Sequence, residues 1–219
     1  MEDIIWLGHA SFFFEDKKGN KIYFVDPFEL GGRKLEKADL IFITHAHYDH
    51  FSPKDIAKII KDDTVLIAPS DILSRISIPA DRKVEVKPNQ SYEVKGFRFS
   101  TVPAYNIKPE RLNFHPKANN WVGYIFELND KKVYHAGDTD FIPEMNNLKS
   151  LNLDVALLPM GGTYTMDAQE AAQAANAIGA KITIPMHYKM IVGNKASEVE
   201  EKFKSLVTTS KVLILTEFS

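Results

Sequence analysis

Three imidazoles and a carboxylate fall within six residues, His45-Ala46-His47-Tyr48-Asp49-His50, directly after the apolar run Leu40-Ile41-Phe42-Ile43. Imidazole nitrogen and carboxylate oxygen are the donors preferred by divalent ions of zinc's character, and catalytic sites built from them leave a coordination position to water. In extended chain, residues i and i+2 point the same way. His45 and His47 are therefore set to grip one ion, while Asp49 and His50, in the turn that follows, aim at a second position nearby. The chain has only seven His in 219 residues, so this density in one hexapeptide reads as a metal site at the end of a buried strand rather than a chance cluster.

Four ligands from one segment do not complete a two-metal site, and the remainder is sought among His and Asp at the ends of other apolar runs. Lys131-Lys132-Val133-Tyr134-His135-Ala136 is strand-like and leads into Gly137-Asp138-Thr139, where glycine permits a sharp turn that presents Asp138 at its tip. A carboxylate there can bridge two ions. Ile182-Thr183-Ile184-Pro185-Met186 is a second β-rich run, followed at once by His187.

HxHxDH, then Gly-Asp-Thr, then a strand-terminal His, in this order and over nearly the whole chain, resembles the metallo-β-lactamase-fold hydrolases. The segments Trp6-Leu7-Gly8-His9-Ala10-Ser11, Tyr134 to Thr139, Leu158-Pro159-Met160-Gly161-Gly162-Thr163-Tyr164-Thr165-Met166 and Ile184-Pro185-Met186-His187-Tyr188 are most similar to the subgroup of ascorbate-6-phosphate lactonase-like proteins. The resemblance implies an α/β fold, a four-layer αβ/βα sandwich of two mixed β-sheets with helices on the outer faces. It implies His45 and His47 on a first ion, Asp49, His50 and His187 on a second, and Asp138 between them. The ions would be zinc, with manganese or iron as alternatives.

One departure stands out. Where the family carries a further histidine, this chain reads Val102-Pro103-Ala104-Tyr105-Asn106, and nine residues beyond Asn106 comes His115-Pro116-Lys117. A loop of that length can fold the His115 imidazole back over the metals, which makes His115 the substitute ligand or a substrate contact and leaves Asn106 as an alternative oxygen ligand. His9, at a Gly-His turn that the resemblance places near the cleft, joins Asp49 as a catalytic candidate, supporting the ligands or touching substrate, with a purely structural role as the alternative. His135, inside a strand, reads as a packed residue.

In the implied chemistry, two ions roughly 3.5–4 Å apart hold a shared water, lower its pKa towards ~7 and polarise a carbonyl or phosphoryl oxygen. Asp49 orients the attack and accepts a proton. The loop 161–165, with Thr163 and Tyr164, offers amides and hydroxyls to a substrate anion or oxyanion. Lys117 joins Lys108 and Arg111 as either a solvated loop or an anion-binding lip. The expected activity is hydrolysis of a small ester, lactone or phosphodiester, with phosphorylated substrates included. The alternatives are an iron-dependent oxidoreductase on the same scaffold and a non-catalytic metal-binding protein.

Composition narrows the field. At 44% hydrophobic and 26% charged the chain is of ordinary globular type, and no apolar run approaches the ~20 residues of a membrane span. The start, Met1-Glu2-Asp3, lacks the basic region of a secretory signal, so the cytoplasm is the default compartment. The absence of cysteine removes thiolate ligands and a Cys nucleophile. A net charge of −2 argues against a broad grip on nucleic acid. The expected partner is a small-molecule substrate, and a homo-oligomer is left open.

The elements that must position these residues are legible too. Strands are expected over 3–7, 11–15, 21–25 and 40–43, with a hairpin turn at Lys17-Lys18-Gly19-Asn20. Ser52-Pro53 opens a helix through about Ile60. Strands follow over 65–68, 84–87, 97–103, 121–128 and 132–136, then alternation: strand 154–158, a helix from Asp167 to Ile178 stopped at Gly179, strand 181–186, helix 196–206 and strand 212–215. No linker or repeat divides the chain, so one domain over 1–219 is the expectation.

Overall fold

The structure, a computed structural model, describes residues 3–17 and 21–218. The chain resolves into two compact units, one running up to Val86 and taking in the segment from Thr216, the other Lys87–Leu215.

In the first unit, β1 (Ile4–Gly8), β2 (Ser11–Asp16), β3 (Lys21–Val25), β4 (Leu40–Phe42), β5 (Val65–Ala68) and β6 (Lys83–Glu85) lie side by side in chain order. The first three are antiparallel, and β3 to β6 are parallel. Every residue of β4 and β5 is buried, as expected of apolar runs covered on both faces of a parallel sheet. Phe13, Phe24, Ile41 and Leu66 share a core with Ile56 and Ile59 of α1 (Pro53–Ile59). Ser52 caps that helix through its Oγ, which accepts from the Asp55 amide at 3.3 Å, and proline in the first turn forfeits only an N–H that no intrahelical partner would use. A single turn, α2 (Ser70–Leu73), follows β5.

The second unit is built on a seven-stranded sheet of β7 (Ser91–Val94), β8 (Phe97–Pro103), β9 (Val122–Leu128), β10 (Lys131–His135), β11 (Val155–Pro159), β12 (Ile182–Met186) and β13 (Lys211–Val212), again in chain order across the sheet. β7 to β10 are antiparallel, and β10 to β13 are parallel. The parallel connections carry the helices: α3 (Ala168–Ile178), and α4 (Lys189–Val192) with α5 (Ala196–Leu206). Asp167 caps α3 by accepting from the Glu170 amide at 2.8 Å, and Gly179 ends it at φ +64°, a left-handed conformation that costs glycine little. The class is therefore α/β, with two mixed sheets and helices.

Register decides where the functional residues emerge. Val25 of β3 pairs with Phe42 of β4, so Asp26 and the 44–50 segment leave the same end of the first sheet. In the second, His135, Leu157 and Ile184 are aligned across β10, β11 and β12, so Asp138, the 160–166 loop and His187 leave its carboxyl end together. The expected elements are present with small shifts at their ends. β7 is additional, and the last strand is shorter than expected. The hairpin turn expected at 17–20 lies, beyond Lys17, outside the described residues. No helix among the described residues is long and apolar enough to cross a membrane.

Candidate metal centre

In the first unit, one carboxylate organises the histidines. Asp26 is fully buried and accepts three hydrogen bonds: from the Thr44 amide at 2.8 Å, the Thr44 hydroxyl at 2.6 Å and His50 Nδ1 at 2.8 Å. Its acceptor-only chemistry assigns protons. His50 carries its proton on Nδ1 and turns Nε2 towards Asp49 Oδ2, 3.9 Å away. The Thr44 hydroxyl spends its hydrogen on Asp26, so the 2.9 Å contact with His45 Nδ1 is a donation from the imidazole. His45 therefore also presents Nε2, 3.1 Å from Nδ1 of His47. Fixing a ring through the nitrogen that does not bind metal is how ligating histidines are generally oriented. Asp26 was not singled out from the sequence, although it follows the apolar run Tyr23-Phe24-Val25 as Asp138 and His187 follow theirs.

His9 sits at φ +50° after Gly8 at φ +108°, where the β1–β2 pairing loses register. Trp6 Nε1 donates to the His9 carbonyl at 3.0 Å, and His9 Nε2 donates to Asp49 Oδ2 at 2.9 Å. His9 thus holds the carboxylate of Asp49, whose side chain is about one-fifth exposed at 19%.

In the second unit, a single oxygen lies beside two imidazoles. Asp138 Oδ2 is 3.1 Å from His187 Nε2 and 3.3 Å from His115 Nε2, and all three residues are buried. Gly137, at φ +63°, makes the turn, and its amide donates to His135 Nδ1 at 3.2 Å. His135 is accordingly a fully buried support for that turn. Asn106 holds His115 with its Oδ1, which accepts from the His115 amide at 3.0 Å and from Nδ1 at 2.8 Å. Asn106 spends its oxygen on orienting His115, so the part of alternative oxygen ligand does not fit it.

The donor spacing suits a divalent ion. Ligand bonds of about 2.0–2.1 Å in a tetrahedral array put neighbouring donors about 3.3–3.4 Å apart. The contacts His45–His47, Asp138–His115 and Asp138–His187 fall at 3.1–3.3 Å, at or a little below the length of such edges. The set is nitrogen and carboxylate oxygen throughout, and His9, Asp49 and His50, like His45 with Asp26 and His50, offer donor atoms close enough to share an ion.

The substrate-side residues divide. Tyr164 is 43% exposed and packs edge-to-face on Phe114 with ring centroids 4.9 Å apart; Thr163 is exposed. The Gly162 amide donates to the Met166 carbonyl at 3.0 Å, so it is not a donor waiting for an oxyanion. The cations of the basic loop are paired: Arg111 is buried, while Lys108 and Lys117 stay partly exposed. Arg111 is buried against Asp140 at 3.0 Å, Glu170 at 2.6 Å and the Thr165 carbonyl. Lys108 reaches Glu170 at 2.7 Å. Lys117 lies over the Tyr105 ring at 4.4 Å and pairs with Glu144 at 3.2 Å. Burial pushes the Glu170 carboxyl up, but the Lys108 and Arg111 hydrogen bonds outweigh it and hold it below its ordinary value.

The family model described as a β-lactamase superfamily domain matches residues 3–187. A UPF0173 metal-dependent hydrolase of Thermoplasma acidophilum is 35% identical over 94% of this chain and 91% of its own length. The chain belongs to the UPF0173 family of the metallo-β-lactamase superfamily. Another UPF0173 metal-dependent hydrolase, from Pyrococcus abyssi, is 34% identical over 98% of this chain and 96% of its own. Among solved structures, a candidate metal-dependent hydrolase of Parabacteroides distasonis superimposes with a TM-score of 0.84 at 33% identity, covering 99% of this chain and 93% of that one. The two mixed sheets with helices are those of the metallo-β-lactamase α/β sandwich. Close relatives of this UPF0173 chain are thus named metal-dependent hydrolases.

Proposed function

We propose that this UPF0173 protein is a hydrolase of small esters, lactones or phosphodiesters, working with two divalent ions, zinc in the first instance. The observation that carries this reading is the placement of one Asp138 oxygen within 3.1 and 3.3 Å of two buried imidazoles, a cluster of costly buried polar groups whose donor types would hold divalent ions. The ligands would be His45, His47, Asp49, His50, His115, Asp138 and His187. The ions supply, when bound, a water of lowered pKa and polarisation of the substrate oxygen.

The chain's own residues do the rest. His9 donates to Asp49 Oδ2, which fixes that carboxylate to orient an attacking water and take its proton. Asp26 keeps His45 and His50 in the ligand tautomer. Thr163 and Tyr164, exposed on the loop beyond β11, contact the substrate body. Neutral esters and lactones suit the occupied cations of the 107–117 loop best. A phosphorylated substrate of the ascorbate-6-phosphate lactonase type would recruit Lys117, whose exposed pairing with Glu144 a competing anion opens cheaply, rather than the buried Arg111.

The test is metal analysis of protein purified without chelator, then assay against a panel of esters, lactones and phosphodiesters with wild type and Asp49→Asn. Asn keeps the shape and one oxygen but accepts no proton at neutral pH. The expected result is unchanged melting, with turnover reduced at least tenfold in protein loaded with metal. Wild-type turnover in metal-loaded Asp49→Asn would remove Asp49 as proton acceptor.

A further inference from the structure

We infer that Asn106 is a positioning residue that locks His115 in the metal-binding tautomer, and that it does so as the end of a buried tether running back to the start of α3. The inference rests on His115 being a ligand, as proposed above. It follows from counting donors and acceptors around one amide. Asn106 Nδ2 lies 2.9 Å from Asp140 Oδ1 and 3.1 Å from the Tyr164 carbonyl oxygen. Both of those atoms only accept, so the NH₂ group must face them, and Oδ1 must face His115. Oδ1 in turn only accepts, so His115 Nδ1, at 2.8 Å, must carry a hydrogen. The ring is then fixed with Nε2 on the side of Asp138, whatever its charge.

The amide is itself immobilised. Asp140, fully buried, accepts from the Ile107 and Lys108 amides at 2.8 and 3.0 Å and forms an ion pair with Arg111, whose Nε lies 3.0 Å from it. Arg111 passes the connection to Glu170 in the first turn of α3. Asn106 also closes its own loop, since its amide donates to the His115 carbonyl at 2.8 Å. The nine-residue excursion therefore starts and ends on the same pair, which delivers His115 to Asp138 although the chain reaches it from a loop. Rigid support of this kind is what a ligand borne on a loop requires.

The experiment reads tautomer and metal affinity rather than turnover. Long-range ¹H–¹⁵N correlation on metal-free protein reports which nitrogen of His115 is protonated, and calorimetric titration with zinc reports affinity. In wild type, Nδ1 should be protonated; an Nε2-only proton overturns the inference with no variant needed. Asn106→Ala should leave a mixture of tautomers and weaken zinc roughly 10–100-fold. Asn106→Ala with a pure Nδ1 tautomer and zinc affinity within twofold of wild type would also overturn it. His115→Ala separates the two claims: if it binds zinc as wild type does, the ligand assignment fails; if it weakens zinc and Asn106→Ala does not, only the positioning role of Asn106 fails.

Discussion

Replacing Asp26 by Asn should disarm two metal ligands at once while leaving the fold standing, because the buried carboxylate is the proton reference for both His45 and His50. The Thr44 amide donates to Oδ1 at 2.8 Å, so in the variant that atom must remain the oxygen and the new NH₂ group takes the place of Oδ2. That group then donates to Thr44 Oγ1 and His50 Nδ1, formerly 2.6 and 2.8 Å from an acceptor. The consequences propagate. His50 must accept at Nδ1 and carry its proton on Nε2, and the Thr44 hydroxyl, no longer donating to residue 26, donates instead to His45 Nδ1, 2.9 Å away. His45 too acquires an Nε2 proton. Loss of a single such support typically costs 10–100-fold in metal affinity, so two independent rings give about 10²–10⁴-fold. Exchanging charge-assisted for neutral hydrogen bonds costs stability only about 1–2 kcal/mol each. Zinc titration should find the predicted weakening, thermal melting a modest loss, and imidazole ¹⁵N shifts the Nε2-protonated form of both rings. Zinc affinity within threefold of wild type, in protein that melts normally, would refute this chain of proton assignments.

Two further outcomes concern the tether in the second unit. Arg111→Met should destabilise by about 3–5 kcal/mol in urea unfolding, since it strips the buried Asp140 and Glu170 carboxylates of a shared cation; a loss below about 1 kcal/mol would show the cluster is not electrostatically bound. Glu170 also sets a pH dependence. Its folded value lies below the ordinary 4.5, so its contribution is present in full above that value and is lost as pH falls through the lowered one. The melting temperature should therefore drop on acidification below about pH 4.5, and Glu170→Gln should show a lower plateau and a shallower acid limb; an identical acid limb would assign the loss to other carboxylates.

The parts of the site legible in the sequence are those whose chemistry is local. HxHxDH after an apolar run, Asp138 after a glycine turn and His187 after a β-rich run each announce themselves within a few residues, because a strand end is both a local pattern and the place where parallel sheets present side chains. Asp26 obeyed the same rule, yet Asp-Pro also reads as an ordinary turn opener, and nothing nearby reveals that a histidine 24 residues later lies against it. β7 escaped notice for a different reason: Ser91-Tyr92-Glu93-Val94 is a half-exposed edge strand whose polarity hides its period.

The basic loop shows most clearly what a one-dimensional reading misses. Lys108, Arg111 and Lys117 suggest a positive lip only while their partners are unseen, and those partners, Asp140, Glu144 and Glu170, lie 27 to 62 residues further along. Once paired, Arg111 serves the fold, because withdrawing it to meet a substrate would leave two carboxylates buried and uncompensated. Lys108 and Lys117 are still partly exposed and can exchange partners. A preference for anionic substrates, if this enzyme has one, must therefore run through those two lysines. It would respond to salt as exposed charges do, falling as ionic strength rises, whereas hydrolysis of a neutral lactone or ester would be almost indifferent to it.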